Sequence, residues 1–225
     1  MINVIGLTKN YNSLKAIDDI SFSVKSGQVI GIVGENGAGK TTLFRCIAGL
    51  ENYEGQILSD KCPLKNHLGY LPSDPYFFSK ITGMEYLRLL CNARGIKLEN
   101  IAVKNIFDLP LNKYASTFST GMQKKLAITA LLLQKNNMFV LDEPFNGIDI
   151  QSNMILTEII LKLKSLNNTV LISSHIFPTL SETCDEIIVL KQGHLIKSVK
   201  KESFTVLESE MKNILIGDKI ERLGL

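Results

Sequence analysis

Residues 34–42 read GENGAGKTT, which places Gly34, Gly39, Lys40 and Thr41 in the spacing GxxxxGK[ST]. The apolar run 28–33 leads in from the turn Ser26-Gly27 and reads as a strand. Residues 41–50 follow with Leu43, Phe44, Ile47 and Ala48 on one inner side, which reads as a helix. Strand, glycine loop, helix is the context that makes this spacing a phosphate loop. A curled loop aims several backbone N–H groups inward, and glycines allow backbone angles and close approaches that a Cβ forbids. The helix start adds further N–H groups. Lys40 would reach β- and γ-phosphates, and the Thr41 hydroxyl would sit on a metal ion. The expected ligand is ATP with Mg2+, cradled by Gly34, Glu35, Asn36, Gly37, Ala38, Gly39, Lys40, Thr41 and Thr42. The plain alternative is a glycine-rich turn with Lys40 in solvent.

Further along, 138–144 reads MFVLDEP, four apolar residues running straight into Asp142 and Glu143. An unbroken apolar run suits a strand covered on both faces. In open α/β sheets, ligands bind beyond the carboxyl ends of such strands. Asp142 would hold Mg2+ directly or through water, and Glu143 would polarise the attacking water. Alone, the pair would read as a helix cap or turn. His175 follows the apolar residues 170–172 and belongs at another strand end, where it can donate to a γ-phosphate oxygen. A lone histidine there is more often structural.

Other short strands are expected at 2–7, 20–24, 55–58, 67–71, 169–173, 186–190 and 194–199, the last two as a hairpin about Lys191-Gln192-Gly193. Helical runs are expected at 84–94, 101–107, 119–134 and 153–166. Strand–helix–strand over 138–173 implies a parallel sheet. No strand is expected between Pro72 and Ser119, which marks a small helical insertion. The tail beyond Lys200 alternates charged and apolar residues without a clear pattern.

Bulk properties fit a folded domain. The chain has 225 residues, 45% hydrophobic and 21% charged, enough for one substantial core. A net charge of +3 is too weak to argue for nucleic acid or anionic lipid. Four cysteines stand singly, with no CxxC pair or histidine cluster, as in a cytosolic protein with reduced thiols. No run approaches the ~20 apolar residues of a membrane span. The beginning MINVIGLTKNY lacks the features of a signal peptide.

Taken in order, GENGAGKTT, FSTGMQKKLAI from Phe118, MFVLDEP, FNGID from Phe145 and His175 resemble the ATP-binding subunit of an ABC transporter over about residues 2–200. The serine, non-glycine, glycine, methionine order at 119–122 is similar to the branch paired with separately encoded, exporter-type membrane subunits. The resemblance implies an α/β fold: a P-loop NTPase core with a mostly parallel sheet, an N-terminal antiparallel β-subdomain and a small helical insertion. It implies one ABC-type ATP-binding domain over 1–225, an inserted helical signature subdomain over about 74–134, and a C-terminal tail over 200–225.

Residue by residue, Tyr11 looks like the aromatic that stacks on adenine, and Ser119 and Gly121 like signature residues that contact ATP held by a second chain. Glu143 looks like the general base, with His175 as the switch histidine and Lys40 on the phosphates as its catalytic companions. Asp149 is similar to the aspartate that joins two sites across a dimer. Thr41, Asp142 and Ser73 would serve the metal, Ser73 standing where the family often has glutamine. Thr120 and Met122 depart from the usual signature. None of these departures removes a residue needed for phosphate chemistry. The implied activity is ATP hydrolysis powering export by a transmembrane subunit. The implied partners are that subunit and a second ATP-binding chain, a homodimer or heterodimer, with no nucleic acid. The implied location is cytoplasmic, peripheral on the inner face of the cell membrane. The alternatives are a non-transport ABC-type ATPase acting on ribosomes or DNA, and a catalytically silent regulatory subunit. Without the resemblance, 119–134 is an ordinary helix capped by Ser119 or Thr120.

Overall fold

The computed structural model describes residues 1–216, so 217–225 of the expected tail lie outside the described residues. The chain runs β1 (Ile2–Tyr11), β2 (Leu14–Val24), β3 (Val29–Val33), α1 (Lys40–Ile47), β4 (Glu54–Ser59), β5 (Leu68–Leu71), α2 (Gly83–Asn92), α3 (Ile101–Lys104), α4 (Thr120–Leu133), β6 (Met138–Leu141), α5 (Ile150–Ser165), β7 (Thr169–Ser173), α6 (Phe177–Thr183), β8 (Glu186–Lys191), β9 (His194–Lys200) and α7 (Phe204–Ile216). Two sheets result. The smaller, ordered β2-β1-β4, is antiparallel. The larger is ordered β5-β6-β7-β3-β8-β9, parallel throughout except for β9, which returns antiparallel on β8.

Every residue of β3, β6 and β7 is buried, as expected of strands covered on both faces. Alternation along β3 sends Ile30 and Ile32 to one core and Val29 and Val33 to the other. On the first side they meet α1 through Leu43 and Phe44, and the antiparallel sheet through Leu7, Ile17 and Ile20. On the second side they meet Ile128 of α4, Leu156 and Ile160 of α5, and Leu180 of α6. A third cluster joins Leu87 of α2 to Leu126 and Ala130 of α4, over Leu109, Leu111 and Phe118. Full burial of a side chain such as Phe44 contributes about 2–3 kcal/mol.

Several elements differ from expectation. The first two strands were expected at 2–7 and 20–24 with a polar stretch between. They form one long hairpin whose ladder continues from Lys9↔Ile17 to Tyr11↔Leu14. Backbone pairing does not require apolar side chains, and Asn12 closes the turn at φ 52°, a conformation asparagine tolerates. The helix expected to reach Phe107 stops at Lys104, because the Asn105 side chain bonds both the amide and the carbonyl of Leu109. Helix α5 starts three residues early, at Ile150, because Asp149 caps it. Helix α6 was not anticipated. Nor was α7, whose Phe204 and Leu207 are buried in the second core.

Candidate active site

The glycines of 34–39 serve different needs. A Cβ on Gly34 would lie 2.4 Å from the Leu190 carbonyl oxygen, so β8 presses directly on the loop. Gly39 has φ 104°, and its Cβ would lie 2.7 Å from the Ala16 carbonyl oxygen of β2. Gly37 has φ 83° with open space around it. The Gly193 amide in the β8–β9 turn donates to the Ala38 carbonyl at 3.1 Å. The loop therefore rests on two distant hairpins. Lys40, the first residue of α1, is buried, and its Nζ donates to the carbonyls of Gly34 (2.8 Å) and Glu35 (3.2 Å). Burial lowers the proton affinity of this ammonium, while Glu143 and Asp142 raise it.

Asp142 follows β6 and is completely buried. Thr41 Oγ1 donates to its Oδ2 at 2.7 Å, tying the phosphate loop to the acidic strand end. Ser173 Oγ, at the end of β7, donates to Oδ1 at 2.7 Å and accepts from the Glu143 amide at 2.9 Å. Ser173 was not singled out from sequence, although a serine closing the run VLIS at a carboxyl end was the available signal. Glu143 sits at φ 49°, outside the usual range for a side-chain-bearing residue. Its carbonyl accepts from Lys124 Nζ of α4 at 2.9 Å.

The Glu143 side chain points at His175, with Oε1 2.9 Å from Nε2. Neither buried carboxylate oxygen makes a hydrogen bond of good geometry among the described residues, although the His175 main chain as well as its ring lies close enough to favour the anion. Burial pushes the carboxyl's pKa up, with His175 and then Lys40 pulling it back. A carboxylate that is short of donors and has raised proton affinity is suited to take a proton from water.

These groups share a cleft of about 710 Å³. Of the expected residues, Tyr11, Asn36, Gly37, Gly39, Lys40, Thr41, Thr42, Ser73, Asp142, Glu143 and His175 line it. Leu14, Lys15, Ala16, Asn146, Gln192 and Gly193 join them without having been expected. Lys9 Nζ lies 4.7 Å from the centre of the Tyr11 ring and pairs at 3.1 Å with Glu51, which also binds Arg45. Ser119 and Gly121 lie at the start of α4, apart from this lining. Ser119 Oγ accepts from the Met122 amide, and a Cβ on Gly121 would lie 2.4 Å from the Gly147 carbonyl oxygen. Asp149 binds Lys125 Nζ at 2.6 Å, and that bond first, then Ser152, holds its carboxyl well below the usual range.

The set fits a triphosphate with a divalent ion. An ammonium stands within a loop at a helix start, beside a hydroxyl and a carboxylate that already touch. Oxygen donors are what Mg2+ takes, and it needs only one or two carboxylates when phosphates complete its shell. The β3–loop–α1 unit, with Asp142 at the end of β6 beyond the intervening β7, defines a P-loop nucleotide-binding protein. The ABC transporter family profile matches residues 17–146. The chain belongs to that family as an ATP-binding subunit.

It is 34% identical over 227 residues to the ABC transporter ATP-binding protein NatA of Bacillus subtilis, covering 93% of this chain and 92% of that one. It is 30% identical to the bacitracin transport ATP-binding protein BcrA of Bacillus licheniformis, covering 95% and 76%. A solved dimer of the ATP-binding cassette MJ0796 with ADP and Pi shares the fold at TM-score 0.81 and 20% identity, over 89% of this chain and 99% of that one. Among the described residues no helix is long and apolar enough to cross a membrane.

Proposed function

We propose that the chain hydrolyses ATP to ADP and phosphate and thereby powers export by a transmembrane partner. The observation that carries this reading is the Glu143 carboxylate, buried and short of donors, facing His175 in the cleft that holds Lys40 and the Thr41–Asp142 pair. Lys40 binds the β- and γ-phosphates. Thr41 and Asp142 would hold Mg2+, and Ser73 lines the same cleft. When bound, Mg2+ neutralises phosphate charge and orients the terminal group. Glu143 removes a proton from the attacking water, His175 donates to the terminal phosphate, and Tyr11 stacks on adenine.

Ser119 and Gly121 serve a second copy. They stand at the start of α4, where backbone N–H groups attract an anion, and outside the cleft of their own chain. Two chains, most simply identical, close on two ATP molecules, and ATP favours closure because it binds that state better. The helical segment about 74–134 receives the membrane subunit and places the chain on the inner face of the membrane. The methionine-bearing signature at 119–122 supports export, and a relative described as a bacitracin transport ATP-binding protein supports a role in transport.

Glu143→Gln tests the reading. The variant should bind ATP, lose roughly 10²–10⁴-fold in turnover, and accumulate as an ATP-bound dimer by light scattering. A variant that stays monomeric in ATP and hydrolyses at the parental rate would refute it.

A further inference from the structure

Lys124 is a buried lysine on α4 whose role is not explained by packing. It is 5% exposed, and its side chain's one hydrogen bond among the described residues is from Nζ to the Glu143 carbonyl at 2.9 Å. No carboxylate lies within ion-pair distance of it among the described residues, although Asp74, Glu143 and Asp142 lie near enough to favour its charge. Lysines are almost never buried unless paired. An ammonium removed from water for one carbonyl is costly, and a methionine would fill the same space without that cost. What Nζ holds must therefore matter.

The group it holds is in an unusual conformation. Glu143 is at φ 49°, which costs a side-chain-bearing residue free energy unless its surroundings enforce it. The enforcement comes from both sides: Ser173 Oγ holds the amide at 2.9 Å, and Lys124 Nζ holds the carbonyl. The two bonds bracket Cα and fix the direction in which the carboxylate leaves it, towards His175. Gly121 against the Gly147 carbonyl and Lys125 on Asp149 add two more ties from the same helix to the segment 143–149.

We infer that Lys124 is a positioning residue for the catalytic base, holding the Glu143 main chain so that its carboxylate meets the attacking water. The inference rests on the assignment of Glu143 as base.

The test uses the full chain with ATP and Mg2+. Lys124→Met removes the donor and keeps the volume, and Lys124→Arg restores a donor. Affinity for a fluorescent ATP analogue should stay within twofold in both, and each should melt cooperatively. Lys124→Met should lower kcat tenfold or more with KM for ATP little changed, and Lys124→Arg should recover most of the loss. Adding Lys124→Met to Glu143→Gln should cost little more, because the two act as one unit. Parental kcat in Lys124→Met, or parallel loss of affinity and melting temperature that Arg does not repair, overturns the inference. The Glu143→Gln single variant separates the two failures. If it is inactive while Lys124→Met runs at full speed, only the role of Lys124 falls. If it hydrolyses normally, the base assignment falls and this inference with it.

Discussion

His175 Nε2 and Glu143 Oε1 stand 2.9 Å apart at the ends of two adjacent parallel strands, β7 and β6. The two positions are 32 residues apart in sequence, and strand pairing brings them together. Their surroundings set the protonation balance. Burial favours the neutral carboxyl, the neighbouring histidine and Lys40 favour the anion, and burial prevails.

That balance makes stability depend on pH. A carboxyl whose folded pKa is raised above its ordinary 4.5 binds protons more tightly folded than unfolded. Its contribution is favourable at acid pH and is lost as pH rises through the folded value. Glu143→Gln should therefore be more thermostable than the parent at neutral and alkaline pH, with the advantage shrinking towards pH 4.5. Thermal melts across that range check it, at about 2–4 °C per kcal/mol for a chain of this size. Equal melting temperatures at pH 8 would contradict the sign.

Thr41 can be tested through the metal. Thr41→Val removes a donor from the buried Asp142 carboxylate, which keeps Ser173. The expected cost is about 1–3 kcal/mol of stability. Half-maximal hydrolysis should require more Mg2+, and Thr41→Ser should restore both. A Mg2+ titration that superimposes on the parental curve would remove Thr41 from the metal site.

The loop glycines should differ in what they tolerate. Gly34→Ala drives a methyl group into the Leu190 carbonyl, an overpacking cost of about 3 kcal/mol. Gly37→Ala meets nothing within 4 Å and bears only its left-handed φ, about 1–2 kcal/mol. Denaturant unfolding should rank Gly34→Ala as the weaker protein, and nucleotide titration should show it the poorer binder. The reverse order would count against β8 as the support of the loop.

Helix α7 belongs to the core in energetic terms. Phe204 is 4% exposed and meets Phe177 edge-on at 6.4 Å. Phe204→Ala should cost about 3–5 kcal/mol, a fall in Tm on the order of 10 °C. A melt within 2–3 °C of the parent, roughly one kcal/mol, would show that the helix contributes little.

What could be read in the sequence was local. GENGAGKTT carries its meaning in nine consecutive residues, and the buried strands β3, β6 and β7 announce themselves as apolar runs. What escaped reading depends on partners far away in sequence. Ser173 is an ordinary residue until β7 places it between Asp142 and Glu143. Gln192 and Gly193 read as a hairpin turn, and only the sheet order brings them to the cleft. Lys124 did leave a trace. It stands in register with the buried Gly121, Ile128 and Leu131, where a helix would carry an apolar residue. In α7, Phe204, Leu207 and Met211 do recur at helical spacing, but charged residues interleaved with Val206 mask the stripe, and its place is decided by the surface that receives Phe204 and Leu207.

Gly34 rests on Leu190 and Ala38 on Gly193, more than 150 positions later in the chain. Synthesis proceeds from the N-terminus. A nascent polypeptide that has emerged only through β7 already carries the whole motif and its β2 support, but the support from β8 and β9 is still unmade. The full set of contacts behind the loop thus arrives only with the last strands.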